Sequence, residues 1–413
     1  MRAKTKEKRA SVSQYFGAIL LVAGTTIGVG MLGLPVTTGF SGFFPSILLF
    51  ILCWIFMLFT GFFFVDINCS IPGNINLTTM AEKRLGPWGK ALSWFVYLLL
   101  LYSLMAAYIS ASAPLFLVAL DNFLGIKVPL NAAKFLLPMI FGGFIYLGTR
   151  GVDIINRLLM AGLIISYLLL IFFLPSHIDV KLLQHVSWSP FLYAAPVVLT
   201  SFGYHIIIPS LTNYIGHDRK GLYMVILIGS LVALFVNILW QFLVLGVVPL
   251  AGADGLAAAW KNGVPITSSL AKIAHSPYVQ VGAYFFSFFA IITSFLGVSL
   301  SLADFLTDGL KLKKSWEGRL LAIVLTFVPP LVFVFSYQRG FLLALEYAGA
   351  FVAILLIFLP AAMVWTLKKP RFYQSFWGRL MVISSILFSG LIIVINILIR
   401  WGFFTGTFKQ LSA

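Results

Sequence analysis

The chain has 413 residues, 61% apolar and only 10% charged, with a mean hydropathy of +1.02. Those values exclude a soluble globular domain and leave a polytopic membrane protein. The net charge of +16 does not argue for nucleic acid, because the basic residues sit mostly in short segments between apolar stretches.

A basic tail, 1–14, precedes eleven apolar stretches at 15–37, 43–66, 91–120, 132–149, 153–175, 191–216, 221–249, 277–307, 319–337, 341–366 and 378–402. Most are near the ~20 residues needed to cross about 30 Å of hydrocarbon. Of the 28 Lys and Arg, 20 fall in the tail and in alternate connecting segments. That bias predicts a cytoplasmic N-terminus and an external tail at 403–413, and the expected location is the cell inner membrane. No cleaved signal peptide is expected, because the first stretch is long and further spans follow it.

The first stretch carries Gly24, Thr25, Thr26, Ile27, Gly28, Gly30 and Gly33. Glycine costs about 1 kcal/mol per residue in a helix interior, so the pattern predicts an interruption around Gly24–Gly28. At membrane depth, broken backbone persists only where protein, a ligand or a cavity satisfies it. Gly28–Gly33 also spells G-x-G-x-x-G, but without a preceding strand or a βαβ unit it is no dinucleotide fingerprint. Gly24 and Gly28 alone could also serve close helix packing.

In 67–90, Leu77, Met80, Ala81 and Leu85 recur at helical spacing until Gly86-Pro87, which predicts a connecting helix on the inner surface. The Asn76-Leu77-Thr78 sequon there is read as chance. Cys53 and Cys69 form no disulfide framework and are read as packing residues.

The sixth stretch shows a second break, Thr200-Ser201-Phe202-Gly203-Tyr204-His205, followed by Pro209. Two broken stretches five spans apart predict an inverted repeat, 15–175 and 191–366, with 378–402 an eleventh helix outside it. Amides at Gly28–Gly30 would hold a carboxylate. Carbonyls and hydroxyls around Ala23, Thr200 and Ser201 would hold an ammonium group. Together they make a cradle for a free amino acid.

Intramembrane ionisable residues are functional candidates by default. His205 lies at the second break and Glu346 near the outer end of the tenth stretch, where it could carry a proton or pair with Arg339. Thr293, Gly297, Ser301, Asp304 and Asp308 recur at steps of three and four, predicting a wet stripe. Asn237 and Gln241 are expected to hydrogen-bond a neighbouring helix.

The segments Val22–Leu32, Thr200–His205 and Thr293–Leu300 resemble those of the bacterial hydroxy/aromatic amino acid permeases, within the amino acid/polyamine/organocation superfamily. The resemblance spans nearly the whole chain. It implies an all-α, LeuT-like 5+5 inverted-repeat fold with broken helices 1 and 6 and eleven transmembrane helices. It also implies secondary active import of an aromatic amino acid, L-tyrosine first, coupled to protons, with His205, Glu346 and Asp304 the coupling candidates. The substrate ring would meet Phe202, Tyr204, Tyr102 and Ala106, with Gly203 leaving room. Ala290-Ile291-Ile292-Thr293-Ser294 has the spacing of a sodium site in LeuT-like symporters, opposite Gly24 and Ile27, so sodium is the second coupling ion. Two departures stand out: Ile206-Ile207-Ile208 after the histidine, and Glu346 where related permeases often have glycine.

No enzyme is expected, since five scattered histidines come without H-E-x-x-H or G-x-S-x-G. A non-transporting amino acid sensor is the alternative of another class. The expected partners are a small aromatic amino acid and the lipid bilayer, with no cofactor, no nucleic acid and a monomeric state.

Overall fold

The structure, a computed structural model, describes residues 11–403 other than 74, 148, 313, 314, 338 and 369. Residues 1–10 and 404–413, most of the two tails, lie outside the described residues. Among the described residues all regular structure is helical.

Ser11 caps the first helix through a reciprocal bond with Gln14. The first apolar stretch then forms two helices, α1 (Val12–Thr26) and α2 (Val29–Thr38), bent by 50° at Ile27-Gly28. α3 (Phe43–Cys69), α4 (Leu77–Leu124), α5 (Leu130–Leu147) and α6 (Thr149–Phe173) follow. The short α7 (Val180–Leu183) leads to the second broken stretch, which is α8 (Ala195–Thr200), a 3-10 turn Tyr204–Ile207 and α9 (Ile208–Ile215). Next come α10 (Arg219–Leu245), two small helices α11 (Leu256–Asn262) and α12 (Thr267–Ile273), α13 (Pro277–Gly309) and α14 (Trp316–Ser336). α15 (Gly340–Val352) runs through a π-helical segment, Ala353–Phe358, into α16 (Leu359–Trp365), and α17 (Phe376–Arg400) closes the chain.

Among the described residues, nine helices are long and apolar enough to cross a bilayer, or ten when the bent α1–α2 pair counts as one span. The apolar part of α5, Leu130–Gly143, is shorter. Large apolar side chains such as Leu158, Phe172, Val332 and Leu387 are exposed, which makes sense only against lipid. Gly86, at φ 76°, splits the surface helix 77–85 from the spanning part of α4, where the sequence expects Gly86-Pro87 to stop it. Met80 and Ala81 are buried beneath that helix while Glu82 and Lys83 face out. Asn76 spends its side chain on capping it, accepting from the Thr79 amide at 2.9 Å.

The two broken stretches lie antiparallel. Gln14 Nε2 donates to the Tyr214 carbonyl at 3.3 Å, which puts the start of α1 beside the end of α9. At the opposite side, the Ser187 amide donates to the Ser41 carbonyl at 2.9 Å, joining the end of α2 to the segment before α8. These are called here the near side and the far side. α10 buttresses the first break: Trp240, fully buried against Phe286, donates its indole N–H to the Met31 carbonyl at 2.8 Å.

Candidate functional site

The first break is narrower than its glycine content suggests. Thr25 Oγ1 donates to the Val22 carbonyl at 2.9 Å and Thr26 Oγ1 to the Ala23 carbonyl at 2.7 Å, while the Ile27 amide also reaches Ala23. These bonds keep α1 helical through Gly24 to Thr26, and only Ile27 and Gly28 leave the helix, both extended. Gly24 stays within α1, where an added Cβ would make only ordinary contact, 3.9 Å from the Met160 side chain of α6. α2 then starts at Val29, with the Met31 amide donating to the Gly28 carbonyl at 3.0 Å and the positive dipole end of any helix N-terminus at the break.

The second break falls where the sequence puts it. α8 stops at Thr200, whose hydroxyl bonds back to the Val197 carbonyl at 2.6 Å, and Gly203 leaves helical geometry before the 3-10 turn. The isoleucine run divides between environments, with Ile206 exposed and Ile208 buried at the start of α9.

The two breaks touch. A Cβ on Gly30 would stand 2.6 Å from Ser201 Oγ, and one on Gly28 would stand 3.0 Å from Ser294 Oγ in α13. Gly28, Gly30, Ser201 and Ser294 thus share one locus at mid-span, with Gly203 facing Leu356 of the π-helical segment at 3.8 Å. Tyr108 of α4, buried, places its phenol beside the Ser294 hydroxyl. Sequence reasoning missed Tyr108 because α4 is apolar on every face and offers no periodic signal.

Phe202 is fully buried. Two other predicted residues turn away from this locus. Tyr204 donates to the Met57 carbonyl of α3 at 3.0 Å and stands against Gly61, which a side chain would push aside. His205, also fully buried, pairs Nε2 with Thr60 Oγ1 at 2.9 Å and stacks on Tyr204. Tyr102 and Ala106 line a separate cavity of about 240 Å³ with Phe333, Tyr347 and Phe351, and Tyr102 donates to the Leu325 carbonyl at 2.9 Å.

Of the residues expected to hold a cation, one reaches the first break. Ser294 stands at the Ile27-Gly28 break, and Thr293 Oγ1 donates to the Phe289 carbonyl at 2.8 Å and the Ala290 carbonyl at 3.3 Å, leaving its lone pairs open. Neutral hydroxyl and carbonyl oxygens suit a hard monovalent cation, and among the described residues no cluster of His, Cys, Asp and Glu suits a transition metal.

The polar stripe on α13 is present as expected. Gly297, Ser301, Asp304 and Asp308 are exposed and run from the breaks to the near side, and a Cβ on Gly297 would meet open space. Thr25 of α1 is exposed at the same level. The far side is closed: a side chain at Gly33 would strike Leu345 of α15, one at Gly39 Leu256 of α11, and one at Gly349 the Pro196 carbonyl.

Glu346 is 3% exposed at the far side, accepting from the Tyr193 hydroxyl at 2.7 Å, with Arg400 3.7 Å from its second oxygen. Sequence reasoning missed a second buried carboxylate, Asp66, at the near end of α3. It receives the Tyr373 hydroxyl and lies 3.3 Å from the Arg219 guanidinium. Gln241 bonds Thr38 at 2.7 Å as expected of it, whereas Asn237 is fully buried with no amide partner among the described residues.

Known proteins match this sequence along nearly its whole length. The profile of the tryptophan/tyrosine permease family matches residues 11–399. A tyrosine-specific transport system of Haemophilus influenzae (system 1) is 34% identical over 399 residues, covering 94% of this chain and 97% of its own. A tryptophan-specific transport protein of Pseudomonas aeruginosa is 32% identical, covering 94% of each chain. Among solved structures, a manganese transporter of Eremococcus coleocola, in complex with an aromatic bis-isothiourea substituted compound, superposes with a TM-score of 0.57 at 18% identity, over 94% of this chain and 88% of that one. This last likeness concerns the fold alone. Matched from the first helix to the last, this multi-pass membrane chain belongs to the tryptophan/tyrosine permease family, a family of transporters and not of enzymes.

Proposed function

We propose that the protein is a secondary active symporter that imports an aromatic amino acid, L-tyrosine first, across the cell inner membrane. The observation that carries the reading is the apposition of the two breaks at Gly30 and Ser201. The α2 amides at Gly28–Gly30 take the substrate carboxylate, and the carbonyl end of α8 at Thr200–Ser201 takes the ammonium group. The ring faces the α4–α13 side, where Tyr108 stands and Gly297 leaves room. Relatives named for tyrosine and for tryptophan support an aromatic substrate.

The architecture we favour is the LeuT-like 5+5 repeat with eleven spans. The antiparallel broken stretches support it, and so does parity. The described chain starts on the near side, at Gln14, and Arg400 ends it on the far side beside Glu346, which requires an odd number of crossings. Counting α5 as a crossing makes eleven. The charge bias assigns the near side to the cytoplasm. The exposed α13 stripe then corresponds to an inward-facing arrangement, and the transport cycle swings α1–α3 and α8–α10 against the rest.

Protons are the first coupling ion; sodium at Ala290, Thr293 and Ser294 with the carbonyls of Gly24 and Ile27 is the second reading, favoured by Ser294 standing at the break. The test is uptake of labelled tyrosine, tryptophan and phenylalanine by purified protein in liposomes, under a pH or a sodium gradient. Accumulation driven by the pH gradient without sodium is the expected result. Dependence on sodium at fixed pH would replace the proton assignment, and binding without uptake under either gradient would make the protein a sensor.

A further inference from the structure

The far side is held shut by side chains from four parts of the chain. Phe40, just past α2, packs edge-on against Trp260 of α11 with ring centroids 5.7 Å apart. Trp260 Nε1 donates to the Tyr193 hydroxyl at 3.0 Å, and that hydroxyl donates in turn to Glu346 Oε1 of α15 at 2.7 Å. The Arg339 guanidinium stands over the Trp260 ring, 3.8 Å from its centroid. Glu346 is fixed from behind: Asn396 of α17 donates to its carbonyl at 2.8 Å, and Arg400 stands 3.7 Å from its carboxylate while stacking on Tyr347.

We propose that Tyr193 is a positioning residue of the transport cycle, a latch whose hydroxyl ties the cap over α2 to α15 and whose release opens the far side. The hydroxyl is both acceptor and donor, so one phenol rotation breaks the path from Phe40 and Trp260 to Glu346. Tyr193 precedes α8 by two residues, and Glu346 lies one turn from Gly349, which packs directly on Pro196 of α8. Movement at the second break is therefore transmitted to the latch within a few residues. Glu346 acts here as the fixed acceptor of a gate. The inference rests on the alternating-access reading above, but its test requires no substrate.

The test uses the full chain in liposomes with Cys53→Ala and Cys69→Ala, carrying Leu342→Cys. Leu342 is fully buried and its side chain lies near Gly33, so a membrane-impermeant maleimide added on the far side reaches it only when α2 leaves α15. Tyr193→Phe keeps the ring and removes both bonds. Labelling is expected to rise about tenfold, the factor that about 1.4 kcal/mol produces in an equilibrium constant. Trp260→Phe, which removes one bond, should give a smaller rise and serves if Tyr193→Phe does not fold. Labelling of Tyr193→Phe at the parent rate overturns the proposal. So does an equal rise with Tyr167→Phe, which loses a comparable bond to the Val236 carbonyl away from the latch. Failure of amino acid uptake with labelling as expected would count against the substrate reading alone.

Discussion

Gly30 and Ser201 meet so closely that a single methyl group on the glycine would lie 2.6 Å from the serine hydroxyl and 3.4 Å from its Cα. Each belongs to a different broken stretch, 171 positions apart in sequence. Gly30→Ala therefore forces the Ser201 hydroxyl to turn or α2 to shift from the end of α8. Overpacking of this kind costs about 1–3 kcal/mol, so binding of the aromatic amino acid should weaken roughly tenfold or more. Removing the opposing side chain by Ser201→Gly should restore part of that loss, and a double-mutant cycle in equilibrium binding measures the coupling. Additive losses would mean that the two residues act separately.

Gly28→Leu should abolish binding while leaving membrane insertion largely intact. Its φ of −173° is open to any residue, so the backbone itself tolerates the change. The obstacle is space, since the first carbon of the new side chain already stands 3.0 Å from Ser294 Oγ. Scintillation proximity binding on purified protein, alongside a size-exclusion profile, separates the two effects. Normal affinity would remove the Ile27-Gly28 break from the site.

At the near side, Tyr373→Phe should lower stability by about 1–3 kcal/mol, because it withdraws a donor from the 1%-exposed Asp66 carboxylate. Thermal unfolding in detergent reads this directly. Asp66→Asn should do less harm than Asp66→Leu, since both remove the charge that faces Arg219 but only the amide keeps an oxygen that accepts from Tyr373.

The stripe on α13 has a different signature. Gly297→Ala should change stability by less than about 1 kcal/mol, because nothing lies within 4 Å of the added carbon and alanine favours the helix. Ser301→Cys should react with an impermeant thiol reagent from the near side and be protected from the far side. Protection from both sides would mean that the stripe faces protein or lipid instead of a wet path.

The broken helices were legible because glycine and β-branched or hydroxyl residues disfavour continuous helix wherever they cluster, and that is a local property. Gly203 and the stop at Thr200 followed from it. The extent of the first break did not, since Thr25 and Thr26 tie α1 back onto itself and confine the gap to Ile27-Gly28.

Direction around the helix axis was the harder quantity. Tyr204 and His205 sit at the break by sequence, yet their side chains go to α3, where Met57, Thr60 and Gly61 receive them. Tyr108, two residues from Ala106, reaches the locus while Tyr102 reaches α14. In a span that is apolar all round, no amphipathic pattern says which face looks inward, because lipid and protein interior accept the same side chains.

By itself, then, the sequence determined a many-span helical membrane protein with two interrupted helices, a polar stripe on α13 and the motifs of its family. Those properties are carried by local composition and spacing. Only the tertiary structure decided that Gly30 lies on Ser201, that Asp66 is buried against Tyr373, and that Glu346 is grasped by Tyr193. Such pairings join residues far apart in the chain, and they arise from which helix faces pack together, a choice that hydrophobicity alone leaves open within a bilayer.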